Sequence, residues 1–343
     1  VGMDRRAFIA AIGAVVVGGA GYELRRLTQD HSAPQGTVGS SSATSAPHEL
    51  DAFITPNDSF YRIDTVLGSV PNISANDWSL KIHGMVDRTL VVTMADLAAM
   101  NQVEHVITLG CVSNPVGGDE IGTAQWGGVL LSDVLAHAGV KSGAEQLVTR
   151  SQDGWTCGTP VSAVMDGRPA MLVTHMNGEP LPAKHGFPVR MVVPGLFGYV
   201  SATKWIVDME LTTWDAFDAY WVSNGWAKQA PILTSSRIDS PRTGARLAAG
   251  QTVRIGGFAW APRSGVAQVQ VRVDGGSWND AVIGEHDTGD AWAQWSWEWT
   301  PAGGAHVLEV RCIDAQGHAQ EETVRPEVPS GATGLHSVRI KAV

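Results

Sequence analysis

The C-terminal third of this 343-residue chain constrains its fold most, because it offers the backbone little besides strands. Thr252 to Trp260, Val266 to Val273, Trp292 to Trp299 and His306 to Ile313 alternate polar and apolar residues. Successive side chains of a strand point to opposite faces, so this period sends one face of each segment into a core and the other toward water. Turn residues separate the segments: Asp274-Gly275-Gly276, Pro301-Ala302-Gly303-Gly304 and Asp314-Ala315-Gln316-Gly317. Strands at this spacing, with almost no helix signal, predict an antiparallel β-sandwich of immunoglobulin type over 233–343. Trp295, Trp297 and Trp299 fall on one face of it. Such a face is either sandwich core or the apolar side of a domain or subunit contact, where large aromatics are enriched.

Upstream the texture is mixed. Trp78 to Gly84 and Leu90 to Thr93 read as short strands, and Met94 to Met100 as a helix capped by Thr93. Val106 to Leu109 is a strand, and Ser132 to Ala138 a helix with an N-cap serine and Gly139 at its C-terminal end. Val189 to Val193 is a buried strand that stops at Pro194-Gly195. This pattern predicts a mixed α+β domain over 49–232 ahead of the sandwich, and the chain is long enough for two such domains.

The N-terminus carries an address. Arg5-Arg6 and Phe8 precede a mildly apolar stretch, Ala10 to Ala20, and Arg25-Arg26 follow. Twin arginines before such a stretch resemble a twin-arginine export signal over 1–28. The stretch is shorter than the ~20 residues that comfortably span a bilayer, and no clean A-x-A cleavage site follows, so an uncleaved membrane anchor is the alternative. The Ser, Thr, Gly and Ala run over 29–48 reads as a flexible tether. The expected location is therefore extracytoplasmic. A net charge of −10, a pI near 5.5 and the absence of a Lys/Arg run argue against nucleic acid as a partner.

Three cysteines allow at most one disulfide. No C-x-x-C pair is present, so haem attachment, iron–sulfur and tetrahedral zinc spacings are missing. Cys157 and Cys312 read as small buried hydrophobes. Cys111 differs, because it closes the apolar run Val106 to Gly110 and opens a glycine-rich loop through Gly118. A strand-to-loop junction of this kind can aim a thiol into a cleft. Three other segments have the composition of an anion holder: Asn57 to Arg62; His185 to Arg190; and the loop from Gly195 through Ser201, Thr203 and Lys204. Arginine offers a fork of donors, lysine a point charge and hydroxyls further hydrogen bonds, a set suited to phosphate.

In this order, Thr108 to Asn114, Ile121 to Val129, His185 to Pro194 and Ser201 to Trp205 resemble the sulfite oxidase family of molybdenum-cofactor enzymes, from about Phe53 to the C-terminus. The resemblance implies that Cys111 is the thiolate ligand to molybdenum, which suits a soft sulfur on a redox-active centre. It implies that Asn57, Phe60, Tyr61, Ser151, His185, Arg190, Ser201, Thr203 and Lys204 contact the molybdopterin. It further implies two-electron oxygen-atom transfer and a homodimer formed through the C-terminal sandwich. Because the sequence has no haem or iron–sulfur motif, electrons are expected to pass through a separate carrier: a c-type cytochrome, a membrane haem subunit or a quinone-linked partner.

The match departs at the substrate. Sulfite-oxidising members carry arginines just after the ligand cysteine, whereas Asn114 to Gly118 hold no cation here. That forfeits a charge-assisted hydrogen bond worth roughly 1.5–3 kcal/mol. Arg62 is the expected substitute charge, with Trp226 or Lys228 facing the substrate. Two substrate classes stay open: oxidation of sulfite or a related small sulfur compound, and reduction of an S-oxide. Two other readings compete with the enzyme. One is an exported binding or adhesion module that has kept the fold and lost the metal. The other is a cysteine hydrolase with His105 or His185 as its base.

Overall fold

A computed structural model describes residues 50–64, 70–284 and 289–343. The export segment and tether expected over 1–28 and 29–48 lie outside the described residues. The chain from residue 50 onward falls in a single compact unit. Strands dominate it, and helices are few and short.

Two sheets form the N-terminal part. One has the order Leu90–Thr93, Ser79–Gly84, Ile206–Thr212, Gln146–Ser151, Thr156–Pro160. Its inner face is Leu80, Ile82, Leu147, Met209 and Leu211, all fully buried. The other runs Val103–Gly110, Ile121–Leu130, Met171–Met176, Glu179–Pro180, with Arg190–Val192 paired to the Met171 strand. Helix Met94–Ala99 begins as expected at a capping box: Thr93 Oγ1 accepts from the Asp96 amide at 3.3 Å, and the Asp96 carboxylate accepts from the Thr93 amide at 2.8 Å.

Helix Leu131–Ala138 starts one residue before the serine expected to cap it. Leu130 occupies the cap position and no side chain bonds the first turn. Ala170 O, from a neighbouring segment, accepts from the Leu131 amide at 2.8 Å, so one orphan donor is met by tertiary packing. Gly139 ends the helix at φ +73°, as its position predicts.

The C-terminal part is the expected sandwich, with one sheet ordered Ser235–Ser240, Val253–Trp260, Ala293–Trp299, Val282–Ile283. The facing sheet is Arg246–Leu247, His336–Ala342, Gly304–Asp314, Val266–Val273, Asn279–Asp280. Trp295 is enclosed between the sheets, and Trp297 and Trp299 pack half-buried against the same core. The indole face is thus inward, and sandwich core is its structural role.

The two parts share an apolar seam. Phe258, Trp260 and Trp292 of the sandwich are buried in one cluster with Val112, Ile121, Phe197 and Ile232. Phe258 and Trp292 stack at 3.8 Å, and the Arg237 guanidinium lies over both rings. Strand Val103–Gly110 is tied across the seam, since the Thr108 amide donates to Asp290 O at 2.9 Å and the Trp292 amide to Thr108 Oγ1 at 2.8 Å.

Candidate active site

The first described residues cross the seam and then build the site. Asp51 O and Phe53 O accept from Gln294 and Trp292, and the Thr55 amide donates to Thr123 O at 2.8 Å. Asn57 follows as a staple. Its Nδ2 donates to Met176 O at 3.2 Å, its Oδ1 accepts from Asn177 at 2.8 Å, and its carbonyl meets His185 Nε2 at 2.9 Å. A carbonyl only accepts, so this bond places the imidazole proton on Nε2. Burial, with Arg190 and two lysines nearby, brings His185 down to about 4, so the ring is neutral at neutral pH.

Phe60 stacks with Tyr61 at 5.3 Å and meets His185 and Trp126 edge-on. Tyr61 turns its phenol toward Gly198. Burial, and then the Cys111 and Glu120 charges, push that phenol above its usual range, while Arg190 opposes them. Gly122 lies against the Phe60 ring, where a Cβ would come within 2.9 Å of it.

Arg190 is 6% exposed and lies 5.1 Å from the Trp126 ring centroid. Its Nη1 donates to His185 O at 3.1 Å, while its buried Nε has no partner among the described residues. Burial lowers the guanidinium to about 10, so it stays charged at neutral pH. Lys204 donates to Ile63 O at 3.1 Å and pairs with Asp64, which also pairs with Arg62 at 2.5 Å. Burial brings the Lys204 ammonium down to about 8, against the pull of Asp64. Gly186, at φ +114°, lets Arg190 and Lys204 approach closely, each about 3.1 Å from where its Cβ would be.

Other expected residues have partners within the fold. The Ser201 hydroxyl lies 3.0 Å from both Leu196 O and Phe197 O, and Thr203 bonds Thr149 at 2.6 Å. Both are fully buried, so their side chains fasten the loop rather than present hydroxyls. Ser151 ends its strand, with its Oγ turned to the Asp153 amide at 3.5 Å. Trp226 packs on Tyr199 and Trp221 and does not line the cavity at Cys111, and Lys228 pairs with Asp218. Arg62 joins the Asp64–Lys204 group and does not line that cavity either.

Cys111 stands one residue beyond strand Val103–Gly110. Its amide donates to Glu120 O at 2.9 Å, which closes the loop 111–120. Asn114 Oδ1 caps the loop from within by accepting from the Glu120 amide at 3.0 Å. The sulfur lies 2.9 Å from Ser113 Oγ, and that hydroxyl donates to Glu120 Oε2 at 2.8 Å. Burial, and then the Glu120 charge, push the thiol up to about 12.

All three cysteines are free thiols. A thiol held that high is a poor nucleophile, and its hydrogen-bond partner is a serine rather than a histidine, which removes the basis of the hydrolase reading. A bound metal reverses the effect, since a coordinated thiol is deprotonated outright.

The cavity beside Cys111 was not legible in the sequence, because the sandwich supplies one wall. Val116, Ile121, Phe197 and Ile232 face Ser235, Trp260 and Ala332 across it, and no charged side chain lines it. The nearby sandwich cation, Arg237, is engaged with Asp239 at 2.7 Å and with Gly118 O at 3.0 Å. His336 packs against Gly117, where a Cβ would come within 2.1 Å of the ring. Burial, and then Arg237, bring His336 down to about 4. The signal for this wall lay in Trp260, a large aromatic at the end of a strand, but its partners are far away in sequence.

The residues present fit a molybdopterin. They provide one soft thiol, a buried guanidinium with an unspent N–H, a neutral imidazole and a lysine around a glycine-lined approach. A mostly stranded fold with this site is the arrangement expected of a molybdopterin-binding oxidoreductase. Residues 67–221 match the family described as the oxidoreductase molybdopterin binding domain, and residues 235–310 match the bacterial Ig domain.

The chain is 31% identical to sulfite oxidase of Gallus gallus, an alignment that covers 82% of this chain and 71% of that protein. It is 29% identical to the mitochondrial sulfite oxidase of Rattus norvegicus, over 82% of this chain and 60% of the rat protein. The sulfane dehydrogenase SoxCD of Paracoccus pantotrophus shares the fold, with a TM-score of 0.74 at 24% identity over 91% of this chain and 92% of that one. The chain belongs to the sulfite oxidase family of molybdenum-dependent oxidoreductases.

Proposed function

We propose that this enzyme performs two-electron oxygen-atom transfer on a small, uncharged sulfur compound, outside the cytoplasm. Arg190 carries the cofactor half of this reading, because a buried guanidinium with an orphaned N–H is costly unless an anionic group completes it. Arg190 and Lys204 would hold the phosphate end, His185 and Tyr61 the pterin, and Cys111 the metal. When bound, the group supplies a two-electron redox couple. The chain's own residues would bind it and orient it.

The uncharged cavity supports the substrate half. Sulfite is an anion, and an anion there would face apolar side chains with the Glu120 carboxylate behind the sulfur. A neutral S-oxide meets no such penalty. The names of the relatives, sulfite oxidase and sulfane dehydrogenase, support sulfur as the reacting element. With reduced viologen as donor, methionine sulfoxide or dimethyl sulfoxide should be turned over, and sulfite-dependent cytochrome c reduction should be weak. Val116→Arg should improve the KM for sulfite by roughly 10-fold or more, the equivalent of one charge-assisted hydrogen bond. Turnover of neither compound by a molybdenum-replete enzyme would refute the substrate assignment.

Export rests on Arg5-Arg6 and the apolar stretch behind them. Replacing both arginines with lysine should hold the protein in the cytoplasm, as fractionation would show; unchanged export would remove the twin-arginine reading. Electrons would pass through a separate carrier, a c-type cytochrome, membrane haem subunit or quinone-linked partner. A homodimer completes the proposal by analogy with the family, and the lack of haem-attachment and iron–sulfur cysteine spacings in the sequence supports the separate carrier.

A further inference from the structure

Glu120 is 9% exposed and makes no ion pair among the described residues; its carboxylate accepts from Ser113 and also lies within hydrogen-bond reach of the Cys111 thiol. Burying a carboxylate with so little compensation costs free energy, so the position calls for a reason. Ser113 is also 9% exposed, and its oxygen lies 2.9 Å from the Cys111 sulfur on one side and 2.8 Å from Glu120 on the other. A serine hydroxyl has one proton to donate. In the free thiol the S–H can donate to Ser113 or to Glu120, while Ser113 lies 2.8 Å from the Glu120 carboxylate. A metal-bound sulfur can only accept, and Ser113 is then the hydroxyl within reach of it.

We propose that Ser113 and Glu120 are positioning residues for the ligand sulfur. Ser113 divides its single donor between the Cys111 sulfur and the Glu120 carboxylate, and that competition sets the electron density of the sulfur and so the potential of the metal it holds. The inference rests on the molybdenum reading above. Hydrogen bonds to a ligand thiolate draw electron density from it and favour the reduced metal, which is how outer partners tune such centres. Glu120 weakens that bond by pulling the proton the other way. The loop geometry keeps the arrangement short: Asn114 caps the Glu120 amide, and Gly118 leaves room for the Asn114 side chain, where a Cβ would come within 2.3 Å of its oxygen.

The two residues should therefore act in opposite directions. A redox titration of the purified holoenzyme, followed by the molybdenum(V) EPR signal, reads this without turnover. Ser113→Ala removes the donor and should lower the potential. Ser113→Thr keeps a hydroxyl and should restore it. Glu120→Gln can donate to Ser113 through its amide, freeing the hydroxyl for sulfur, and should raise the potential.

Unchanged potentials and EPR parameters in Ser113→Ala and Glu120→Gln at full molybdenum content would overturn the proposal, as would shifts of the same sign. If Ser113→Ala loses molybdenum, retention by Ser113→Thr supports the hydroxyl's role, and equal loss from both assigns the site to packing alone and overturns it. Wild-type protein without molybdenum would refute the cofactor assignment itself, a separate result.

Discussion

Cys111→Ser should abolish turnover and leave most of the pterin in place. The replacement is nearly isosteric and its hydroxyl can still bond Ser113, so the loop closed by the Cys111 amide and Glu120 O should survive. A serine oxygen is a hard, weakly acidic donor and a poor substitute for a soft thiolate on a redox metal. The loss should exceed the ~10–100-fold typical of disturbing an outer partner of a metal ligand. The pterin should remain because its holders, Arg190, His185 and Lys204, lie on other segments. Steady-state rates set against molybdenum and pterin content per chain measure this. Wild-type turnover in the serine variant would show that Cys111 is not the ligand.

Arg190→Met should do the reverse, emptying the site at little cost to the fold. Each charge-assisted hydrogen bond lost to an anionic group weakens binding by about 1.5–3 kcal/mol, roughly 10- to 150-fold. The cofactor-free protein should lose no more than about 1 kcal/mol, because the lost bond to His185 O is offset by relief of the buried, orphaned Nε. A methionine sulfur can also rest on the Trp126 ring that the guanidinium now faces. Urea unfolding and pterin content, measured on one preparation, separate the two effects. A variant that binds pterin normally would remove Arg190 from the cofactor site. Together the two variants separate chemistry from occupancy, which a single loss-of-activity measurement cannot do.

Much of the architecture was legible because it is written at short range. Period-two alternation marked the sandwich strands, and Thr93 and Asp96 marked a helix start that the structure forms as a capping box. Helix Leu131–Ala138 was misread by one residue, because its first amide is satisfied by Ala170 O and needs no serine. Of the anion-holding segments, His185, Arg190, Tyr61 and Lys204 do gather beside Asn57 and Phe60. Ser201 and Thr203 share their loop, yet turn their hydroxyls inward to Leu196, Phe197 and Thr149. Hydroxyl-rich sequence is equally compatible with both outcomes.

By itself, then, the sequence determined that a lone thiol ends a strand among cation-bearing loops and that a β-sandwich follows. Those properties depend on residue type and on spacings of a few positions. Which charges face the thiol was decided only by the tertiary structure. Arg62 is drawn to Asp64, which Lys204 shares, Arg237 is fixed by Asp239 and Gly118, and Glu120 lies against both Ser113 and the sulfur. The far wall of the cavity comes from Ser235, Trp260 and Ala332, more than a hundred residues beyond Cys111. The direction of a long side chain and the approach of two distant segments are settled by packing and pairing across the seam, and no local pattern encodes them.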